Sequence, residues 1–223
     1  MSINAVLIDL DGTLVDSIPD LAHAANAMRL ELGMHTLGQD VIASFVGKGI
    51  DNLIIRTINA SLDNKELPPE MFNQAREIFV RHYHLVNGDG STVYPGVIDG
   101  LKAMKAQGLK LAVVTNKAEA FTLPLLTQTG LIGFFDTVVS GDTCARKKPH
   151  PEPLLYACEK LGHPPENSVF IGDSINDVQA AQAAGMPVLI LPYGYNEGNS
   201  VQTLKVDAII DSMTSAAQWL ANQ

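Results

Sequence analysis

A chain of 223 residues, 46% of them hydrophobic with a mean hydropathy of +0.11, is long enough to bury one large core or a core carrying a smaller insert. Its formal charge of −9 disfavours binding to a nucleic-acid backbone, and no run approaches the roughly 18 apolar residues of a membrane span. Met1-Ser2-Ile3-Asn4 lacks the basic start of a secretory signal, and Cys144 and Cys158 form no C-x-x-C pair, so a cytoplasmic protein with reduced thiols is expected.

Residues 3–9 read as a buried strand, because Ala5-Val6-Leu7-Ile8 is an unbroken apolar run. The run ends in Asp9, and Asp11 follows two positions on, where the side chains of a strand return to the same side. Two carboxylates there repel unless something compensates, and a divalent cation with oxygen ligands is the natural candidate. Gly12-Thr13 then turns the chain sharply, so backbone groups can approach a ligand. The stretch 16–90 changes character. Ser17 is placed as an N-cap with Pro19 and Asp20 in the first turn, Ala22, Ala25, Met28, Leu30 and Leu32 make an apolar face, and Gly33 closes the helix. Helical patterns recur at 39–46, 50–61 and 69–86 with no strand among them. This predicts an all-helical insert able to lie over the carboxyl ends of a sheet.

From residue 91 short apolar runs alternate with helical stretches. Strands are expected at 109–115, 135–140, 168–171 and 187–191, with a short last one at 208–210, and helices at 97–107, 118–129, 151–161 and 175–184. That alternation predicts an α/β protein with a parallel sheet covered on both faces. The strand ends carry the chemistry. Thr115 and Asn116 offer a hydroxyl and an amide to phosphate oxygens, Lys147 and Lys148 precede Pro149 at a loop, and Asp173 and Asp177 are spaced for one face of a helical turn. With Asp9 and Asp11, these groups suit phosphoryl transfer to a carboxylate nucleophile, in which a metal and a lysine offset charge and a second acid protonates the leaving oxygen. His82 and His84 are two apart in a helical stretch and make no metal pair, whereas His150 is close enough to Pro149 to touch the site.

The segments DLDGTLVDS (9–17), VVTNK (113–117), KKPHP (147–151) and GDSIND (172–177) resemble the motifs of the haloacid dehalogenase-like superfamily, in its aspartate-nucleophile phosphatase branch, and the likeness spans the whole chain. The resemblance implies a Rossmann-like parallel sheet core formed by 1–15 and 91–223, with a helical cap, 16–90, inserted after the first motif. It implies Asp9 as the nucleophile that becomes a phosphoaspartate, Asp11 as the general acid and base, and Thr115 with Asn116 at the phosphate. Lys148 matches the third-motif lysine, with Lys147 one residue away as the competing choice. Asp173 matches the acidic ligand of Mg²⁺, shared with Asp9 and the backbone carbonyl of Asp11, and Asp177 the supporting acid, counted with them among the candidate metal residues. The second acid of the D-x-D pair, Asp11, speaks against dehalogenation, which has no alkoxide to protonate.

The expected substrate is a small phosphorylated organic acid, with 2-phosphoglycolate as the best guess, handled by a monomer or a homodimer. Three alternatives share part of the pattern. A sugar phosphomutase resembling beta-phosphoglucomutase has the same core motifs, a phosphonoacetaldehyde hydrolase would need a cap lysine such as Lys48, and a receiver-type signalling module would carry the acids in another order and no insert. Because the core motifs address only the phosphoryl group, discrimination is expected from the insert. Lys48, between Gly47 and Gly49, is its candidate for a substrate carboxylate.

Overall fold

The computed structural model describes residues 3–63 and 65–223. Strand β1 (Ala5–Ile8) is the pivot of the fold, its four residues 0% exposed. Two-residue β2 (Val15–Asp16) follows, and then four helices, α1 (Ile18–Glu31), α2 (Gln39–Phe45), α3 (Ile50–Asn59) and α4 (Pro69–Val86). The chain returns through β3 (Thr92–Val93) and α5 (Val97–Ala106) to β4 (Lys110–Val114), α6 (Glu119–Gln128) and β5 (Thr137–Val139). It ends with α7 (Glu152–Leu161), β6 (Ser168–Gly172), α8 (Ile175–Ala184), β7 (Val188–Ile190), β8 (Ala208–Ile209) and α9 (Met213–Leu220).

The main sheet runs β5-β4-β1-β6-β7-β8 and every pairing in it is parallel. Its two faces follow from alternation along each strand. Val6, Ile8, Leu111, Val113, Val169 and Ile171 pack with Leu101, Met104, Met213 and Leu220 of α5 and α9. Ala5, Leu7, Ala112, Val114, Phe170 and Ile190 face the other way, onto Leu154, Ala157, Val178 and Ala181 of α7 and α8. After β1 the chain builds β4 and β5 on one side, then crosses back to build β6 onward on the other. The carboxyl end of β1 is therefore a topological switch point, where an open α/β sheet leaves a crevice for ligands. The registers place Ile8 beside Val113 and beside Ile171, so the residues following β1, β4 and β6 emerge together.

Helices α1 to α4 share an apolar cluster of their own, including Leu21, Met28, Ile42, Ile54, Phe79 and Tyr83, with Phe121 of α6 packed into it. Two details depart from the sequence reading. The ends of the helical stretch are joined by a ribbon, β2 antiparallel to β3, too short for any alternation to show. Ser17 does not cap α1 through its side chain but donates its hydroxyl to Asp11 Oδ1 at 2.6 Å, because the turn after β1 brings that carboxylate within reach. Asp20, read as a first-turn acid, is 3% exposed and accepts bonds from the N–H groups of Gly88, Gly90 and Ser91 and from the Ser91 hydroxyl, which ties the start of the insert to its return. Among the described residues no helix is long and apolar enough to cross a membrane.

Candidate active site

Two neighbouring parallel strand ends deliver acids to one place. Asp9 follows β1 and is anchored by its own N–H to Ile171 O, while Asp173 follows β6 and Asp177 lies in the first turn of α8. Oxygens of Asp9, Asp173 and Asp177 lie within 4.8 Å of one another, so this trio could hold a metal ion. Lys148 is the counter-charge. It is 3% exposed, and its Nζ stands 2.9 Å from Asp9 Oδ1 and 2.7 Å from Asp177 Oδ1. Lys147, its neighbour, is exposed and reaches toward Gly49 instead of the acids, so the structure gives different surroundings to two lysines that the sequence left open.

One buried lysine does not balance three buried carboxylates. Burial, with Asp177 adding to it and Lys148 opposing, pushes the Asp9 carboxyl up to about 7. Burial, Asp177 and Asp9 together raise Asp173 well above the ordinary carboxylate range. Burial alone would lower Lys148, but Asp177 and Asp9 outweigh it and keep the ammonium charged. An oxygen-only donor set with surplus negative charge suits a hard divalent cation.

Each acid is also oriented. Leu10 N donates to Asp9 Oδ1 at 2.8 Å, the oxygen that Lys148 also addresses, and no described residue donates to Oδ2. Asp173 accepts from the Thr13 hydroxyl at 2.6 Å and from Tyr195 N at 2.5 Å. Asp177 Oδ2 takes Asp173 N, Ser174 N and the Ser174 hydroxyl, so this carboxylate braces the loop and Lys148 at once. Gly12, with φ of +84°, passes so close that a Cβ would overlap the Asp173 carboxylate, which is why the first turn must contain glycine.

Asp11 does not join the acidic trio through its side chain. Its two oxygens lie 3.1 and 3.3 Å from Lys117 Nζ, which also donates to the Tyr83 hydroxyl. Thr115 is 3% exposed, and its hydroxyl accepts from Lys117 N at 3.2 Å. The Asn116 side chain, expected at the phosphate, is engaged elsewhere. Its Nδ2 donates to Gly47 O and Lys148 O, and its Oδ1 accepts from Lys148 N, so it fastens the lysine loop to the insert. A cavity with about 40 Å³ open to water centres lies between sheet and insert. Asp9, Asp11, Thr115, Asn116 and Lys117 line it from below and Leu21, Val46, Gly47, Gly49, Ile50, Leu53 and Tyr83 from above. Lys48 is not among these residues. Its Nζ pairs at 2.7 Å with Glu197 Oε1, which also pairs with Arg56 Nη2 at 2.7 Å. His150 contacts Arg146 and Glu152, away from the cavity.

Sequence reasoning gave no role to Thr13, Tyr83, Lys117 or Tyr195. Thr13 and Lys117 stood inside the quoted motifs, so only their partners were hidden. Tyr83 looked like one more apolar position of a helix, and nothing in the loop after β7 marked Tyr195 as a neighbour of Asp173.

Residues 6–191 match the model of the haloacid dehalogenase-like hydrolases. The chain is 49% identical to a phosphoglycolate phosphatase of Nitrosospira multiformis, over 99% of this chain and 96% of that protein. It is 46% identical to one of Thiobacillus denitrificans, over 97% and 95%. Its structure superposes on the crystal structure of a predicted phosphoglycolate phosphatase from Haemophilus somnus with a TM-score of 0.92 and 35% identity, covering 100% of this chain and 99% of that one. With acids at the ends of the neighbouring strands β1 and β6, a hydroxyl at the end of β4 and a family match over most of its length, the chain belongs to the haloacid dehalogenase-like hydrolases.

Proposed function

We propose that the chain is a Mg²⁺-dependent phosphatase of a small phosphorylated organic acid, with 2-phosphoglycolate the substrate that fits best, acting through a phosphoaspartate at Asp9. The observation that carries this is the Asp9 carboxylate. Lys148 and Leu10 N hold its Oδ1, leaving Oδ2 without a donor among the described residues to attack phosphorus. Thr115 in the cavity wall and Lys148 beside Oδ1 would serve as partners of the phosphate oxygens, and Asp11 stands in the cavity wall to protonate the leaving oxygen and later to take the proton of water. Asp9, Asp173 and the backbone carbonyl of Asp11 would hold Mg²⁺. Bound there, the ion would neutralise phosphate charge so that an anionic nucleophile can approach. Asp177, whose oxygens take four donors where each oxygen of Asp173 takes one, acts as the brace of Lys148 rather than as a ligand. Residues 16–90 would serve as a cap over the core formed by 1–15 and 91–223, excluding water while the mixed anhydride forms.

The names of the relatives favour this substrate over the sugar phosphate of a phosphomutase. A panel of phosphate monoesters assayed with Mg²⁺ should rank 2-phosphoglycolate first by kcat/KM, and a sugar bisphosphate or hexose phosphate at the head of the panel would overturn the reading.

Metal binding can be tested without turnover. The folded Asp9 carboxyl titrates near 7 against an ordinary 3.8, so the unfolded chain releases its proton first and the metal-free protein loses stability as pH rises through that window. Mg²⁺ takes the place of the proton. Its stabilisation should therefore be small at pH 5 and larger at pH 8, by about 4 °C or more in Tm. An equal shift at both pH values would speak against Asp9 as a ligand.

A further inference from the structure

Lys117 occupies an unusual position. It is 5% exposed, yet it is the one cation among the described residues that line the cavity. Of the other cations nearby, Lys148 is committed to Asp9 and Asp177 beneath the cavity and Lys48 and Arg56 to Glu197 beside it, while the exposed Lys147 places its Nζ next to Gly49 at the rim, away from Asp11. An ammonium has three donor directions, and Lys117 directs its own to Asp11 Oδ1, Asp11 Oδ2 and the Tyr83 hydroxyl. Asp11 is meanwhile held by a second donor, the Ser17 hydroxyl at 2.6 Å. An acid clamped from two sides is poorly free to follow a leaving oxygen.

We infer that Lys117 reads the carboxylate of the substrate, and that in turning from Asp11 to this group it releases Asp11 for the leaving oxygen. The inference rests on the reading of the site as a phosphatase of a phosphorylated acid. Its geometry is simple. In a 2-phosphorylated acid one carbon separates the carboxylate from the ester oxygen, so the two lie within about 3 Å of each other. Asp11 must come within hydrogen-bond reach of that ester oxygen, and Lys117 Nζ is 3.1 Å from Asp11. A carboxylate carried next to the ester oxygen thus arrives where the ammonium already is, and it competes with Asp11 as one carboxylate against another. A neutral ester has nothing with which to draw the ammonium away. Tyr83 comes from α4 of the insert, so its hydroxyl keeps Nζ facing the cavity while the other two bonds exchange, and only where the insert is seated on the core. The apolar residues Leu21, Ile50 and Leu53 line the same cavity, and a bound substrate there would leave less water to compete for the cation.

The test compares 2-phosphoglycolate with 2-hydroxyethyl phosphate, an ester of the same length with a neutral hydroxyl in place of the carboxylate. The ratio of their kcat/KM values, with saturating Mg²⁺, is read in the wild type, in Lys117→Met and in Tyr83→Phe. The wild-type ratio should favour the acid, and Lys117→Met should lower that ratio by about 10- to 100-fold, the range of a lost charge-assisted bond. Tyr83→Phe, a one-atom change that keeps the cation, should lower it by about 3- to 10-fold, and it carries the test if Lys117→Met melts well below the wild type. Isothermal titration with glycolate should show binding to the wild type and none to Lys117→Met. A ratio unchanged by both variants would overturn the inference, since Lys117 would then only position Asp11. A wild type that prefers the neutral ester would overturn it together with the choice of an acid as substrate while leaving phosphate-ester hydrolysis at Asp9 intact, and a wild type that hydrolyses neither ester would remove both.

Discussion

Asp9→Asn is expected to lower kcat by at least about 10³-fold while the protein keeps or gains thermal stability in the absence of metal. The two halves of this result have one cause. An amide is a poor nucleophile and a poor ligand for a hard cation, so both the covalent step and metal binding fail. Yet the carboxylate it replaces is the one that burial pushes up to about 7, in a cluster where Lys148 faces more negative charge than it can balance. The neutral amide removes that repulsion and keeps an oxygen for Leu10 N. Ordinary core substitutions lose stability, so a dead enzyme with an undiminished Tm separates chemistry from folding. A purified variant retaining more than about 1% of kcat would refute the covalent role of Asp9.

Lys148→Met should fail in the opposite way, through the fold as well as the chemistry. The lysine is 3% exposed and bridges Asp9 at 2.9 Å and Asp177 at 2.7 Å. Methionine fills a similar volume but leaves the acidic trio without its cation. Removing one partner of a buried ion pair costs about 3–5 kcal/mol, or about 6–20 °C in Tm for a chain of this size. Loss of the phosphate contact should lower kcat/KM by a further factor of about 10² or more. Two controls sharpen the result. Mg²⁺ should recover part of the lost Tm, because a divalent ion supplies charge to the same carboxylates. Lys147→Met, next in sequence but exposed, should stay within about 0.5 kcal/mol of the wild type. Similar losses in both variants would mean that the loop as a whole, and not the buried ammonium, supports the site.

The contrast between these adjacent lysines shows where sequence reasoning stops. A residue before a proline is identifiable from its neighbours, but which of two lysines turns inward depends on how the loop leaves β5 and on the three bonds that Asn116 makes to it and to Gly47. The same holds for Lys48. A lysine between two glycines reads as a cation free to meet a ligand, and the fold brings Glu197 to it from a loop far along the chain. Asp11 was recognisable as an acid beside Asp9, but its partner Lys117 and the Tyr83 hydroxyl that this lysine also meets are separated by 34 residues and come together only because the insert packs on the core.

What the sequence by itself determined was whatever depends on close neighbours along the chain. The runs at β1, β4, β6 and β7 declared buried strands, because a strand covered on both faces must be apolar at successive positions. The acids and the hydroxyl after β1, β4 and β6 were legible as site residues because strand ends interrupt such runs with polar groups. The tertiary structure alone decided that β1 lies in the middle of the sheet, that β2 and β3 pair, and that Asp9 and Asp11 answer to different lysines. Periodicity is a local signal, set by backbone geometry over a few residues. The choice of partner for a buried charge is settled across 29 residues for Lys148 and Asp177 and across 106 for Lys117 and Asp11, by which groups the packing removes from water together.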